Sequence, residues 1–550
     1  MRIERLDLAI IIFYFAFIVI LGIWAGLMRK KTGQAKEYFL AGNSLRWPVI
    51  GLSLFAANIS TVHLVSLAEE GYANGLAYGN FEWMAPFTLI ILALFFAPFY
   101  IRTNVTTLPD FLERRYSRAS RDWLSVLSIV SAVFIHIGFS LYAGAVVLEG
   151  LFGLDKTFSI ILIAGLTGLY TIVGGLLAVV WTESVQTVVL LAGATLLTVI
   201  AFFQVGGWTG LAESVEPVRL TVLRAHGDAS GLPWYSVLLG YPIIGIWYWC
   251  TDQTIVQRVL GARDENHARV GPLFTGFIKI LPMFIFVLPG LIGLALINKG
   301  LLPPLPLTEA GGVDTAQTYS HLITHLLPVG IRGLIAAALM AALMSTVSAA
   351  LNSMATLFTY DLYRRRVPQA SEKKLVRIGR TVTFAGMVLA VLWSPLCGHF
   401  PTVFQGINAA ISYLAPPITV VFLAGVFWKK ASSRAAFVTL VSGSLLGFAV
   451  FILDFTKVLQ NFKAGQPAFG FLNFMVISFI LALLCAGTLI VMSYRFPDSP
   501  AEKKDAPVWK SVLEPLREKG WPGIGNYRRL SAVLALVMIG LYVVFTFVTG

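Results

Sequence analysis

Apolar runs of bilayer-spanning length, separated by short polar loops, make up nearly the whole chain. Runs of roughly 20 apolar residues mark helices that cross a bilayer. Fourteen occur, at about 6 to 28, 47 to 71, 81 to 101, 123 to 152, 156 to 176, 183 to 204, 235 to 255, 271 to 296, 327 to 360, 374 to 396, 399 to 428, 433 to 455, 470 to 494 and 530 to 549. The first is too long for a signal-peptide core and no small-residue cleavage site follows it, so it reads as a retained helix. Two of the fourteen are irregular. GLSLFAANISTVHLVSLAEEG, residues 51 to 71, carries Asn58, Ser60, Thr61 and His63 at its middle. PIIGIWYWCTDQTIVQR breaks its aliphatic run with Gly245, Trp247, Tyr248, Trp249, Thr251, Asp252 and Gln253. Backbone groups freed in mid-membrane are tolerated only where they face protein or a water-filled cavity, so both segments predict a polar site at the membrane's centre.

With the first helix set aside, two groups of five remain, 47–204 and 235–428, and each opens on an irregular helix. Weak helices at matching places in two halves predict an inverted repeat with its site at the midplane. Five is odd, so the halves insert with opposite orientations. Residues 1–46 then form an extra N-terminal helix and cytoplasmic loop, and 205–234 an extracellular loop. Residues 429–550 form peripheral helices, with a cytoplasmic linker at about 495–529. The fold class expected is an all-α polytopic membrane protein.

Hydrophobic residues make up 57% of the 550 and charged residues 13%, against roughly 25% charged in soluble domains, which leaves no stretch to fold as a soluble domain. A net charge of +13 invites a nucleic-acid reading, but the placement of the charge opposes it. Lys and Arg crowd alternate loops: Arg29 to Arg46, Arg102 to Arg121, Arg258 to Arg269, Arg364 to Lys374, Lys429 to Arg434 and Lys503 to Arg529. By the positive-inside rule these loops are cytoplasmic and both termini lie outside, in the plasma membrane. The partner implied is the lipid bilayer, not nucleic acid. Cys250, Cys397 and Cys485 form no CxxC pair. No GxGxxG after a strand, Walker loop or HExxH is present, so no enzyme is expected and a gradient must supply the work.

A charge in hydrocarbon costs roughly 2.5 to 3.5 kcal/mol on insertion scales, so His63, Glu82, Glu183 and Lys279 each need a reason. Each has a plain alternative: a satisfied core histidine for His63, an interfacial cap for Glu82, a helix N-terminal charge effect for Glu183, and snorkelling for Lys279. In the helix at 327–360, Ser345, Thr346 and Ser348 lie within one turn on a small-residue face. Ordinary packing, with hydroxyls bonded to their own carbonyls, is one reading. The other is a sodium cage, because two hydroxyls opposite the free carbonyls of the broken helix suit a hard cation. Gln405, Asn408 and Ser412 precede Pro416 and Pro417, which make a hinge or a static kink.

From about residue 38 to 430 the chain resembles the sodium/solute symporter family, sodium/glucose cotransporter branch. The resemblance runs through YFLAGNSLRWPVIGLSLFAANIS, FEWMAP, LYTIVGGLLAVVWTESVQT, WYWCTDQTIVQRVLGA, IKILPMF, LMSTVSAALNSMATLFTYDLY, ISYLAPP and VFWKK. It implies a leucine-transporter-like, five-plus-five inverted repeat with the solute at its centre. Carried over by position, it implies sodium ligands at the carbonyls of Ala56, Ile59 and Ala342 and the hydroxyls of Ser345 and Thr346. It implies sugar contacts at Asn58, His63, Glu82 and Lys279, with Tyr248 as an inner gate and Trp249 beside it. Hydroxyls both donate and accept, so this polar set with aromatic cover suits a sugar or polyol.

Two positions depart from the family's pattern. Its sugar-contacting glutamine falls on Asn408 and a threonine falls on Gly245, changes expected to enlarge or reshape the pocket. A second sodium site in some members falls on Glu183 and Ser348. The function expected is sodium-coupled symport of a hexose-like sugar. The alternatives are a symporter for another solute, such as myo-inositol, a nucleoside or a carboxylate, and a non-transporting sugar sensor or sugar-gated ion leak on the same fold.

Overall fold

A computed structural model describes residues 4–28, 35–59, 61–307, 311–399, 403–465, 471–499 and 507–548. Among the described residues there is no strand, only isolated bridges, and fourteen helical segments form the bundle. They are α1 (Arg5–Met28), α2 in two halves (Trp47–Asn58 and Thr61–Asn74), α3 (80–102), α4 (118–152), α5 (156–174) and α6 (176–205). Next come α7, also in two halves (Trp234–Ile246 and Gln253–Leu260), α8 (Glu265–Asn298), α9 (Ile331–Arg366), α10 (Glu372–Trp393) and α11 (Val403–Phe427). The last three are α12 (Ser433–Phe455), α13 (Phe474–Arg495) and α14 (Tyr527–Val543). Both interruptions expected from the sequence are present.

Lys156–Val205 is a continuous apolar stretch of 50 residues, about 75 Å if straight, more than twice the thickness of a hydrocarbon core. Gly175, at φ 63° and ψ −156°, divides it. The sixth helix therefore starts earlier than the apolar runs suggest, and Glu183 sits two turns inside it rather than at its first turn.

Helix α9 is the axis of the bundle: its apolar window is 94% buried, against 17% for α14. Helix α1 fastens the start of α9, where Asp7 Oδ1 accepts from the backbone N–H groups of Gly330 and Gly333, both at 2.7 Å. A carboxylate there satisfies donors that a helix start leaves unpaired. The stretch expected as a linker is fastened too. The indole of Trp509 donates to Phe95 O at 3.2 Å and its backbone N–H to Val426 O at 3.0 Å, while Arg269 donates to Pro515 O at 2.9 Å.

A methyl group at Gly175 would lie 2.5 Å from the carbonyl oxygen of Tyr38 in a backbone region reserved for glycine, whereas one at Gly165 meets nothing within 4 Å. Gly175→Ala should therefore lower the thermal unfolding midpoint in detergent, at a cost of about 1 to 3 kcal/mol. Gly165→Ala, measured alongside, should not.

Candidate sodium and solute site

The first half of α2 ends at Asn58, and Ile59 leaves the helix in extended conformation, φ −79° and ψ 114°. The last carbonyls of a helix have no intrahelical donor, and here they meet α9. Ser345 Oγ lies 2.8 Å from the carbonyl oxygens of Ala56 and Ala342. Thr346 Oγ1 lies 3.4 Å from Ile59 O and 3.2 Å from Ala342 O. The five oxygens named from the sequence thus converge. As drawn, the hydroxyls donate to the carbonyls; rotated, they present lone pairs to the same gap. Ser60 lies outside the described residues, as does the side chain of Thr61.

Beside this gap is a cavity of about 120 Å³ lined by Asn58, His63, Glu82, Tyr248, Trp249, Lys279, Asn408 and Thr346, among others. Every residue expected from the sequence to touch solute is in its wall. Glu82 and Lys279, 2% and 1% exposed, form an ion pair there, so they act as one unit rather than as two separate contacts. The Lys279 ammonium also lies 5.6 Å from the Trp249 ring and 5.7 Å from the Phe55 ring, within cation–π range. Asn58 Oδ1 is buried without a hydrogen-bond partner among the described residues. The side chain of Gln405 lies outside the described residues, and Ser412 is buried away from the cavity wall.

The lining also holds polar or aromatic residues outside the expected set, Phe81, His136, Ser140 and Tyr241 among them. His136 carries the signal that marked His63, an ionisable side chain inside an apolar run. At Gly245 the structure shows which of the two expected effects applies. A methyl group there would lie 2.7 Å from Tyr241 Cε1 and 2.8 Å from Thr88 Cγ2, and Tyr241 donates to Phe81 O at 3.0 Å. The glycine admits the tyrosine ring into the wall, so the pocket is reshaped rather than simply enlarged.

On the side of the basic loops, Glu183 is fully buried and bonded to Ser53 of α2 and Arg258 of α7, with Arg258 Nη2 2.6 Å from Glu183 Oε1 and Arg258 Nε 3.1 Å from Ser53 Oγ. Arg258, counted among loop cations in the sequence, has no exposed surface, because the break at Asp252 turns Gln253–Leu260 back into the protein. Ser348 donates to Ser345 O at 2.9 Å, and no hydrogen bond joins it to Glu183 among the described residues.

Partly exposed lining residues include Phe81, Ile135, Tyr248, Ile407 and Ile411. Leu54, Ala57, Trp249 and Cys250 are packed in one buried cluster, with Tyr248 against it.

A membrane bundle with two interrupted helices around a central cavity that carries a few polar side chains is the architecture of a secondary transporter. Residues 38–443 match the profile of the Sodium:solute symporter family. The chain is 36% identical over 546 residues to sodium/myo-inositol cotransporter 2 of Oryctolagus cuniculus, spanning 93% of this chain and 80% of the relative. It is 37% identical over 518 residues to a sodium/mannose cotransporter of Bos taurus, spanning 88% and 86%. Sodium/glucose cotransporter 1 of Oryctolagus cuniculus is 33% identical, over 90% and 80%. The solved structure of a Na⁺-coupled sialic acid symporter superposes with a TM-score of 0.74 at 22% identity, covering 90% of this chain and 99% of that one, and so shares its fold. The chain belongs to the sodium:solute symporter family. It is a sodium-coupled transporter and not an enzyme.

Removing one partner of a buried pair strands the other's charge. Arg258→Met should cost about 3 to 5 kcal/mol of stability, read as a lower unfolding midpoint in detergent. Adding Glu183→Gln to it should recover most of the loss.

Proposed function

We propose that the protein couples inward Na⁺ movement to uptake of a sugar or related ring polyol across the plasma membrane, with both termini outside. The observation that carries the reading is the adjacency of a paired Glu82 and Lys279, under aromatic cover, to the gap between Ala56, Ile59 and the Ser345 and Thr346 hydroxyls. A carboxylate and an ammonium that already neutralise each other can each redirect a hydrogen bond to a substrate hydroxyl. A neutral polyol asks for no further buried charge. The names of the relatives, which cover glucose, mannose and myo-inositol, support the same class, and both hexoses and cyclitols fall within it.

In this reading Na⁺ takes the carbonyls of Ala56, Ile59 and Ala342 and the hydroxyls of Ser345 and Thr346, holding α2 against α9. That fixes Asn58 at the break and His63 in the half of α2 that follows it for the solute. Tyr248 and Trp249 form its floor, and Asn408 reaches it from α11. The two groups of five, 47–204 and 235–428, then rock about the site, while 1–46 and 429–550 stay outside the moving core. Coupling requires that Na⁺ favour the solute-competent state differentially. Glu183 and Ser348 are a candidate second sodium site, but that carboxylate already carries the Arg258 guanidinium. The account needs only the first site.

Proteoliposomes with an inward Na⁺ gradient should accumulate labelled hexose or inositol and should not do so with K⁺ in place of Na⁺. Current without accumulation would favour a sugar-gated leak, and binding without either would favour a sensor. Thr346→Ala should raise the sodium concentration for half-maximal uptake with membrane insertion intact, and an unchanged value would remove Thr346 from the site. Glu82→Gln should weaken solute binding by roughly 1.5 to 3 kcal/mol, measured by competition.

A further inference from the structure

We infer that His136, with Ser140 one turn further along α4, is a specificity-determining contact for one ring hydroxyl of the transported polyol; the inference rests on the polyol reading above. Both side chains line the central cavity. Other polar lining groups include Asn58 and His63 of α2, Glu82 of α3, Lys279 of α8 and Asn408 of α11. Helix α4 contributes a separate wall whose remaining lining residue is Ile135, and Ile407 and Ile411 of α11 are the apolar residues nearby in the same lining. Without the imidazole, that edge of a bound ring would face isoleucines.

His136 Nε2 is buried with no hydrogen-bond partner among the described residues. Buried polar atoms in native proteins are almost always paired, and a substrate hydroxyl answers this one because neutral imidazole nitrogen donates in one tautomer and accepts in the other. The residue sits in a widened helical turn, Ala132–Ile137. Such turns insert a residue, re-aim the side chains they carry and recur at functional sites. Ser140, four residues on, shares the same helix face and adds a hydroxyl that both donates and accepts. A ring that meets polar groups on α2, α3, α8 and α11 and again on α4 must offer hydroxyls to both sets, as free pyranoses and cyclitols do. A glycoside with an apolar substituent on the α4 edge would leave His136 unsatisfied and be disfavoured.

The test is Na⁺-driven uptake in proteoliposomes, competed by the full series of monodeoxy hexoses and monodeoxy inositols. In the wild type, one deoxy analogue of the preferred parent should compete about tenfold less well because it lacks the hydroxyl facing α4. His136→Leu should weaken the parent by the same factor and leave that analogue unchanged. That ratio then collapses while those for the other deoxy positions persist. His136→Gln should restore part of the ratio, Ser140→Ala should reduce it, and the sodium concentration for half-maximal uptake should not move in any of them.

Preserved ratios throughout, or a uniform loss for every analogue together with a shifted sodium dependence, would overturn the contact. Should His136→Leu fail to reach the membrane, His136→Gln and Ser140→Ala read the same ratios. A wild type that takes up no hexose or inositol removes the polyol reading and this contact with it. Uptake with unaltered ratios sinks the contact alone.

Discussion

Peptide carbonyls left bare in the middle of a membrane set the terms for everything around them. At the end of the first half of α2, the oxygens of Ala56 and Ile59 have no helix to bond to, and no lipid can serve them. The hydroxyls of Ser345 and Thr346 stand opposite and bond to them, on the most buried helix of the bundle. Because α9 is buried along its length and its start is held by Asp7 from α1, the hydroxyls are presented on a well-packed surface.

Buried charge is handled in two ways. Glu82 and Lys279 pair inside the cavity wall, beside Phe55 and Trp249. The pair meets the cavity without an isolated charge. Glu183 and Arg258 pair with no exposed surface, and together with Ser53 they tie α2, α6 and α7 together on the side of the basic loops. The penalty for separating buried charges makes this second pair a brace.

Much of this was legible in residues alone. The interruptions in α2 and α7 are visible as polar and aromatic residues inside apolar runs, and the sodium-gap oxygens and the residues expected to touch solute come together as the spacing and the family resemblance imply. What was not legible depends on chain direction in three dimensions. Arg258 reads as a loop cation because its neighbours in sequence are charged, yet the break at Asp252 folds it inward to Glu183. Gly175 gives no hydropathy signal, so the start of α6 was misplaced by several residues. Tyr241 enters the pocket only because position 245 lacks a side chain, a contact one helical turn apart that composition does not reveal. His136 could have been found by the rule that found His63.

The central claim is that cation and solute are bound as one thermodynamic unit across the α2 break. Calorimetric titration of the purified protein with its preferred sugar or inositol, at saturating Na⁺ and with Na⁺ replaced by K⁺, measures that linkage directly. The account predicts that Na⁺ tightens solute binding, and that saturating solute tightens Na⁺ binding by the same factor, as linkage requires. Equal solute affinity in the two salts would contradict it.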